Sequence, residues 1–103
     1  MINKGSITNR YLIDKYEGTS NFYRIYSDGF VEQGGITSKD TTVNLLKAYK
    51  DTNYVILLNG ADTGTLYSTY PYGAQSKTNS SFYVKTQTGS NCPVCWYACG
   101  YYV

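Results

Sequence analysis

The stretch Phe22-Tyr23-Arg24-Ile25-Tyr26-Ser27-Asp28-Gly29-Phe30-Val31-Glu32-Gln33-Gly34-Gly35 reads as a complete β-hairpin. Two runs rich in aromatic and β-branched residues flank Asp28-Gly29, a pair that tolerates the positive φ angles of a two-residue type I′ turn. Such a turn predicts that Tyr26 faces Val31, Ile25 faces Glu32, Arg24 faces Gln33 and Tyr23 faces Gly34. In that register neither face is cleanly apolar or cleanly polar, whereas a half-buried hairpin of a monomer alternates cleanly. The mixed pattern predicts that both faces touch protein, with Arg24 and Gln33 in a polar contact between chains.

Outward from the hairpin, short runs of β-branched and aromatic residues recur between Gly, Asn, Asp, Ser and Thr clusters, and helical periodicity is almost absent. Tyr11 to Tyr16 reads as a first strand, closed by the loop Glu17-Gly18-Thr19-Ser20-Asn21. Thr41 to Leu46 reads as a strand and not a helix, because Thr41, Thr42 and Val43 lower helix propensity and no second turn of pattern follows. Tyr54-Val55-Ile56-Leu57-Leu58, bounded by Asn59-Gly60, is the one continuous apolar run, which suits a strand buried on both faces at the centre of the core. From Gly64 to Gln75 a strand broken by Pro71 gives way to an irregular edge. Ser81 to Thr86 and Cys95 to Tyr102 supply the last two strands. The expected fold is all-β: a compact antiparallel β-sandwich-like domain, with residues 1–10 as a flexible or shaft-connecting lead-in and 11–103 as a single domain.

At 103 residues the core is modest. Much of the apolar quota is held by 13 Tyr, whose hydroxyls need partners wherever they are buried, so the rings are exposed or lie between subunits. Aromatic residues at 17% against charged residues at 16% argue against disorder. A net charge of +2 with no basic run argues against nucleic acid as a partner. The N-terminus lacks the apolar region of a signal peptide, and no stretch approaches the roughly 20 apolar residues of a membrane helix. The expectation is a soluble product of a cytoplasm with no membrane insertion, in which the polar residues up to Asn9 are a flexible lead-in or equally the stump of a longer fibre.

The chain resembles the C-terminal tip domain of bacteriophage tail-fibre proteins. The resemblance rests on the Phe22–Gly35 hairpin, the Lys47-Ala48-Tyr49-Lys50-Asp51-Thr52-Asn53-Tyr54 connection, the run Val55-Ile56-Leu57-Leu58, and a closing strand with Trp96, Ala98, Gly100 and Tyr101, in that order. It implies a homotrimeric β-structured knob at the end of a fibre in the virion, binding a glycan or protein on the surface of the host bacterium. Cys92, Cys95 and Cys99 stand outside that pattern.

The residues also delimit the chemistry. Cys92-Pro93-Val94-Cys95 and Cys99 have knuckle-like spacing, but a closed zinc site wants four ligands and the chain has no His and no fourth Cys. These read as small, partly buried, reduced thiols, with no metal and no cofactor expected. Without His the commonest general base is missing, and a surface polysaccharide hydrolase would rest on Asp28 and Glu32. Asp28 is already demanded by the turn, and Glu32 in its strand is placed to pair with a Lys or Arg, so no catalytic residue is assigned. The Tyr-rich stretch Tyr67 to Ser76 has the composition of a binding loop. Tyr67, Tyr70, Tyr72 and Asn79 are the expected receptor-binding residues, with Tyr72 and Asn79 favoured. Trp96, Ala98 and Gly100 share one side of the closing strand, where small residues permit close backbone approach. With Arg24 and Gln33 they form the expected trimer interface, ordinary packing within the chain being the alternative. A pure assembly module without receptor contact is the second functional reading.

Overall fold

The computed structural model describes residues 9–60, 72–86 and 93–103. Among them lie eight strands and no helix: β1 (Leu12–Glu17), β2 (Asn21–Tyr26), β3 (Phe30–Ser38), β4 (Thr41–Asn44), β5 (Val55–Gly60), β6 (Tyr72–Gln75), β7 (Ser81–Thr86) and β8 (Pro93–Tyr101). All pairings are antiparallel. They build a five-stranded sheet in the order β1-β2-β3-β8-β5 and a three-stranded sheet in the order β4-β7-β6. The all-β, two-sheet expectation holds. The segment expected as an irregular edge contains β6, and the strand expected from Gly64 lies largely outside the described residues.

The hairpin forms, but one residue out of the expected register. Ile25 pairs with Val31, Arg24 with Glu32 and Tyr23 with Gln33. The loop is the three residues Ser27-Asp28-Gly29, closed by the Gly29 N–H donating to the Tyr26 carbonyl at 3.0 Å. Only Gly29 in it takes a positive φ, at 89°. This is the pattern of a type I turn followed by a bulge glycine, and Asp28 supports it by accepting the Phe30 N–H on Oδ1 at 3.1 Å. A one-residue slip reverses which cross-strand neighbours share a face, so the mixed faces resolve. Tyr23, Ile25, Val31 and Gln33 face the second sheet, while Phe22, Arg24, Tyr26, Phe30 and Glu32 face away from it.

The core lies between the sheets. Val43, Phe82 and Val84 of the smaller sheet meet Ile25, Val31, Val94, Trp96 and Ala98 of the larger, with Phe82 edge-on to Trp96 at 5.7 Å between ring centres. Trp96, Ala98 and Gly100 do share one side of β8, and that side is filled by their own chain. Trp96 and Ala98 are buried there, and a Cβ on Gly100 would stand 2.7 Å from Tyr54 Cβ. The expected trimer-interface role of these three is therefore replaced by packing within one chain. The same correction applies to Gln33, which is fully buried on the core face and is not beside Arg24. Arg24 lies on the opposite face, its guanidinium 3.4 Å from Glu17 and 5.0 Å from the Phe22 ring centre.

β5 is also not the doubly buried strand its composition suggests. It is the last strand of the larger sheet, and Ile56 and Leu58 point at the core while Val55 and Leu57 are exposed. Only one face of the larger sheet has a second sheet to cover it, so alternation returns.

Gln33 ties the 45–54 connection to the sheet. Its Oε1 accepts the Leu46 and Lys47 N–H groups at 2.9 and 3.2 Å, and its Nε2 donates to the Lys47 carbonyl at 2.8 Å. Replacing it with Leu leaves three part-buried backbone groups without their partner, each such loss typically costing about 1–3 kcal/mol. Gln33→Leu is expected to lower unfolding stability in urea by about 3 kcal/mol or more. A change below roughly 1 kcal/mol would remove this anchoring role.

Candidate functional site

Once leashed at Leu46 and Lys47, the connection folds over the end of the sandwich that carries the Asp28-Gly29 turn. The Tyr49 and Tyr54 rings stack with centres 4.4 Å apart and are both buried. Burial raises the pKa of both phenols, most strongly that of Tyr49, so they stay protonated at any ordinary pH. The Tyr49 hydroxyl donates to the Val31 carbonyl at 3.3 Å, and the Tyr54 hydroxyl donates to the Thr78 carbonyl at 2.6 Å. The loop 76–80 is pinned alongside: the Tyr49 N–H donates to the Asn79 carbonyl at 2.8 Å, and Lys77 donates its ammonium to the Tyr54 carbonyl while lying over the Tyr54 ring.

These contacts leave a cavity of about 250 Å³ lined by Tyr49, Lys50, Asp51, Asn53, Tyr54 and Tyr101, with Gly100 in its wall. Its backbone is fixed by the Lys50 N–H donating to the Tyr101 carbonyl at 2.9 Å and by Asp51 Oδ1 accepting the Asn53 N–H at 2.9 Å. Lys50, Asp51 and Asn53 are exposed at the mouth. A carboxylate, a primary amide and an ammonium bordering a cavity that tyrosines also line suit a small ligand rich in hydroxyl groups, because they supply both donors and acceptors.

Neither of the expected receptor-binding residues that the structure describes lines this cavity, and Tyr72 lies by Gly60 at the other end of β5. Asn79 is exposed on the loop whose backbone holds Tyr49. Tyr72 opens β6, half-buried against the core. Tyr67 and Tyr70 lie outside the described residues. Sequence reading missed the 47–54 connection as a site. Its signal is the cluster Lys50-Asp51-Thr52-Asn53 between two tyrosines, which the resemblance includes as a connection and not as a binding element.

On the outer face of the larger sheet, Glu32 accepts hydrogen bonds from the Tyr26 and Tyr97 hydroxyls, both at 2.7 Å. The Tyr26 and Tyr97 donors hold the Glu32 carboxyl below its ordinary value of 4.5; the bond to Glu32 raises the Tyr26 pKa, while burial first and that bond second raise the Tyr97 pKa. The expected Lys or Arg partner is thus supplanted by two phenols. Asp28 is held at the turn by Arg10, whose Nε and Nη2 donate to Oδ2 at 2.9 and 2.7 Å, hydrogen bonds that lower the Asp28 pKa. Arg10 itself, counted with the lead-in, is docked on the turn. Asp28 and Glu32 line no common cavity among those described here.

Cys95 and Cys99 are free and half-buried on the outer face, four positions apart along β8 and so roughly 13 Å from one another. Cys92 lies outside the described residues. Among the described residues no group of three His, Cys, Asp or Glu is placed to hold a metal, and no helix is long and apolar enough to cross a membrane. No protein-family model, curated protein or solved structure matches the chain.

A carboxyl whose pKa is lowered by folding contributes stability above the unfolded value, and that contribution disappears as pH falls through the folded value. Glu32→Gln is therefore expected to melt lower than the wild type near pH 7, with the difference shrinking below the ordinary value of 4.5. Melting curves from pH 7 to pH 3 check this, and a constant offset would deny the ionised hydrogen bonds any role.

Proposed function

We propose that this chain is the tip domain of a bacteriophage tail fibre, carried on the virion as a homotrimer, which binds a glycan on the surface of the host bacterium without catalysis. The observation that carries the reading is the convergence of its motif segments. The Phe22–Gly35 hairpin, the closing strand with Trp96, Ala98 and Gly100, and the Val55–Leu58 run are distant in sequence yet form consecutive strands β2, β3, β8 and β5 of one sheet. The fourth segment, Lys47–Tyr54, closes over the end of that sheet and lines the polar cavity. The residues behind the resemblance thus belong to one structural unit.

A saccharide fits the cavity by size and chemistry. Asp51 and Asn53 offer acceptors and donors for ring hydroxyls, and Lys50 adds a cation for sugars bearing carboxylate or phosphate. An assembly module without receptor contact is the second reading, favoured by the uncovered apolar face described below.

The test is retention of the purified chain on an array of bacterial lipopolysaccharides and capsular polysaccharides, and on cells carrying any glycan that scores. Asp51→Ala and Asn53→Ala together are expected to weaken binding at least tenfold, about 1.4 kcal/mol, with the particle mass unchanged. Asn79→Ala is expected to have a smaller effect, since the Asn79 carbonyl and not its side chain holds Tyr49. A particle of full mass that binds no glycan and no cell would favour the assembly module, and shortening of a polysaccharide would favour a hydrolase.

A further inference from the structure

We propose that the outer face of the five-stranded sheet is the surface on which a second copy of this chain packs, an inference that rests on the homotrimer reading and specifies where its subunits meet. The inner face is covered by the smaller sheet. The outer face has no second sheet over it among the described residues; Arg10 lies over the Phe30 and Tyr26 rings at its turn end, and the half formed by β3, β8 and β5 is apolar. Ile36, Val55 and Leu57 are 55%, 53% and 61% exposed, and the half-buried Cys95, Tyr97 and Cys99 lie between them. Those three aliphatic side chains, bridged by the β8 side chains between them, open on the order of 300 Å² of apolar surface, the size of the largest patch on an ordinary monomer.

The distribution of charge on the face is that of an interface core and its rim. Lys15, Glu17 and Arg24 stand together on the β1–β2 side, linked by Lys15–Glu17 and Arg24–Glu17 pairs at 3.8 and 3.4 Å. The one carboxylate nearer the centre, Glu32, accepts a phenol hydrogen bond on each of its oxygens, which offsets part of the cost of covering its charge. β5 carries no charged residue and no proline, the usual devices that keep an outer strand from associating. The half-buried aromatic side chains Phe22, Tyr26 and Tyr97 extend the apolar patch toward the charged rim. A second copy is the occupant because one sheet side holds both the apolar core and a rim of mixed sign, so three copies turned toward a common three-fold axis each set one part of the face against a different part of the neighbour's in a head-to-tail contact.

The experiment is particle mass by light scattering behind a sizing column, in reductant, for the wild type, Leu57→Lys, Ile36→Lys and the control Thr42→Lys on exposed β4. Leu57 and Ile36 are mostly exposed within one chain, so a lysine at either perturbs the protomer little, and far-ultraviolet circular dichroism confirms the strands. The expected result is an oligomeric wild type and control, with both face variants reduced to single chains or weakened at least tenfold in association. An oligomeric wild type whose mass survives both face variants overturns this surface and leaves the homotrimer reading standing. A wild type that is a single chain at tens of micromolar overturns both.

Discussion

A single buried amide organises the functional end of this molecule. Gln33 sits on the core side of β3 with no exposed surface, where an unsatisfied amide would be severely destabilising. Its carbonyl accepts two N–H groups and its NH₂ donates to a carbonyl, all from Leu46 and Lys47 of the incoming connection. Those backbone groups belong to no strand and would otherwise lie against the sheet without partners. The side chain therefore does in one place what a further strand would do along its length, and the chain between β4 and β5 can close the sandwich as a loop. Tyr49, Tyr54, Lys77 and the Asn79 carbonyl then lock in sequence, each hydrogen bond placing the group that makes the next.

The second organising element is β8. It is flanked by β3 and β5, so it makes the longest ladder of the fold and its two faces have different duties. Val94, Trp96 and Ala98 fill the core, and Gly100 lets Tyr54 approach where a methyl group would collide. The alternate residues Cys95, Tyr97 and Cys99 face outward among Ile36, Val55 and Leu57. The core-facing set has the small and large residues of close packing. The outward set is apolar without being covered, and that asymmetry is what makes the outer face an association surface in the proposed assembly.

The fold class and the strand inventory were legible because alternation and turn residues are local signals. The hairpin, Ser81–Thr86 and the choice of strand over helix at Thr41–Asn44 all follow from them. What failed were inferences needing a third partner. Asp-Gly is compatible with two loop lengths, and the three-residue one was chosen, which put Gln33 opposite Tyr23 and into the core. An apolar run of five cannot disclose whether one or both of its faces are covered, so Val55 and Leu57 were taken for core. The small residues of β8 were rightly placed on one side, but small side chains serve any close approach, and here the approaching atom is Tyr54 of the same chain. The cavity was not legible at all, because it exists only after Gln33 has drawn the connection against the sheet.

The two proposed surfaces occupy different parts of the molecule, and their separation has a physical consequence. The polar cavity lies at the end of the sandwich, while the apolar face lies along its side, so association on the face leaves the cavities open. A cavity of about 250 Å³ with three polar side chains at its mouth holds about one sugar ring, and a contact of that size binds weakly by itself. Fixing several cavities in one rigid particle converts each later contact on a repetitive polysaccharide into an intramolecular event, raising avidity by roughly 10²–10⁴ without any new contact. On this reading the uncovered sheet face and the modest cavity are parts of one design, in which packing between copies supplies the strength that no single site has.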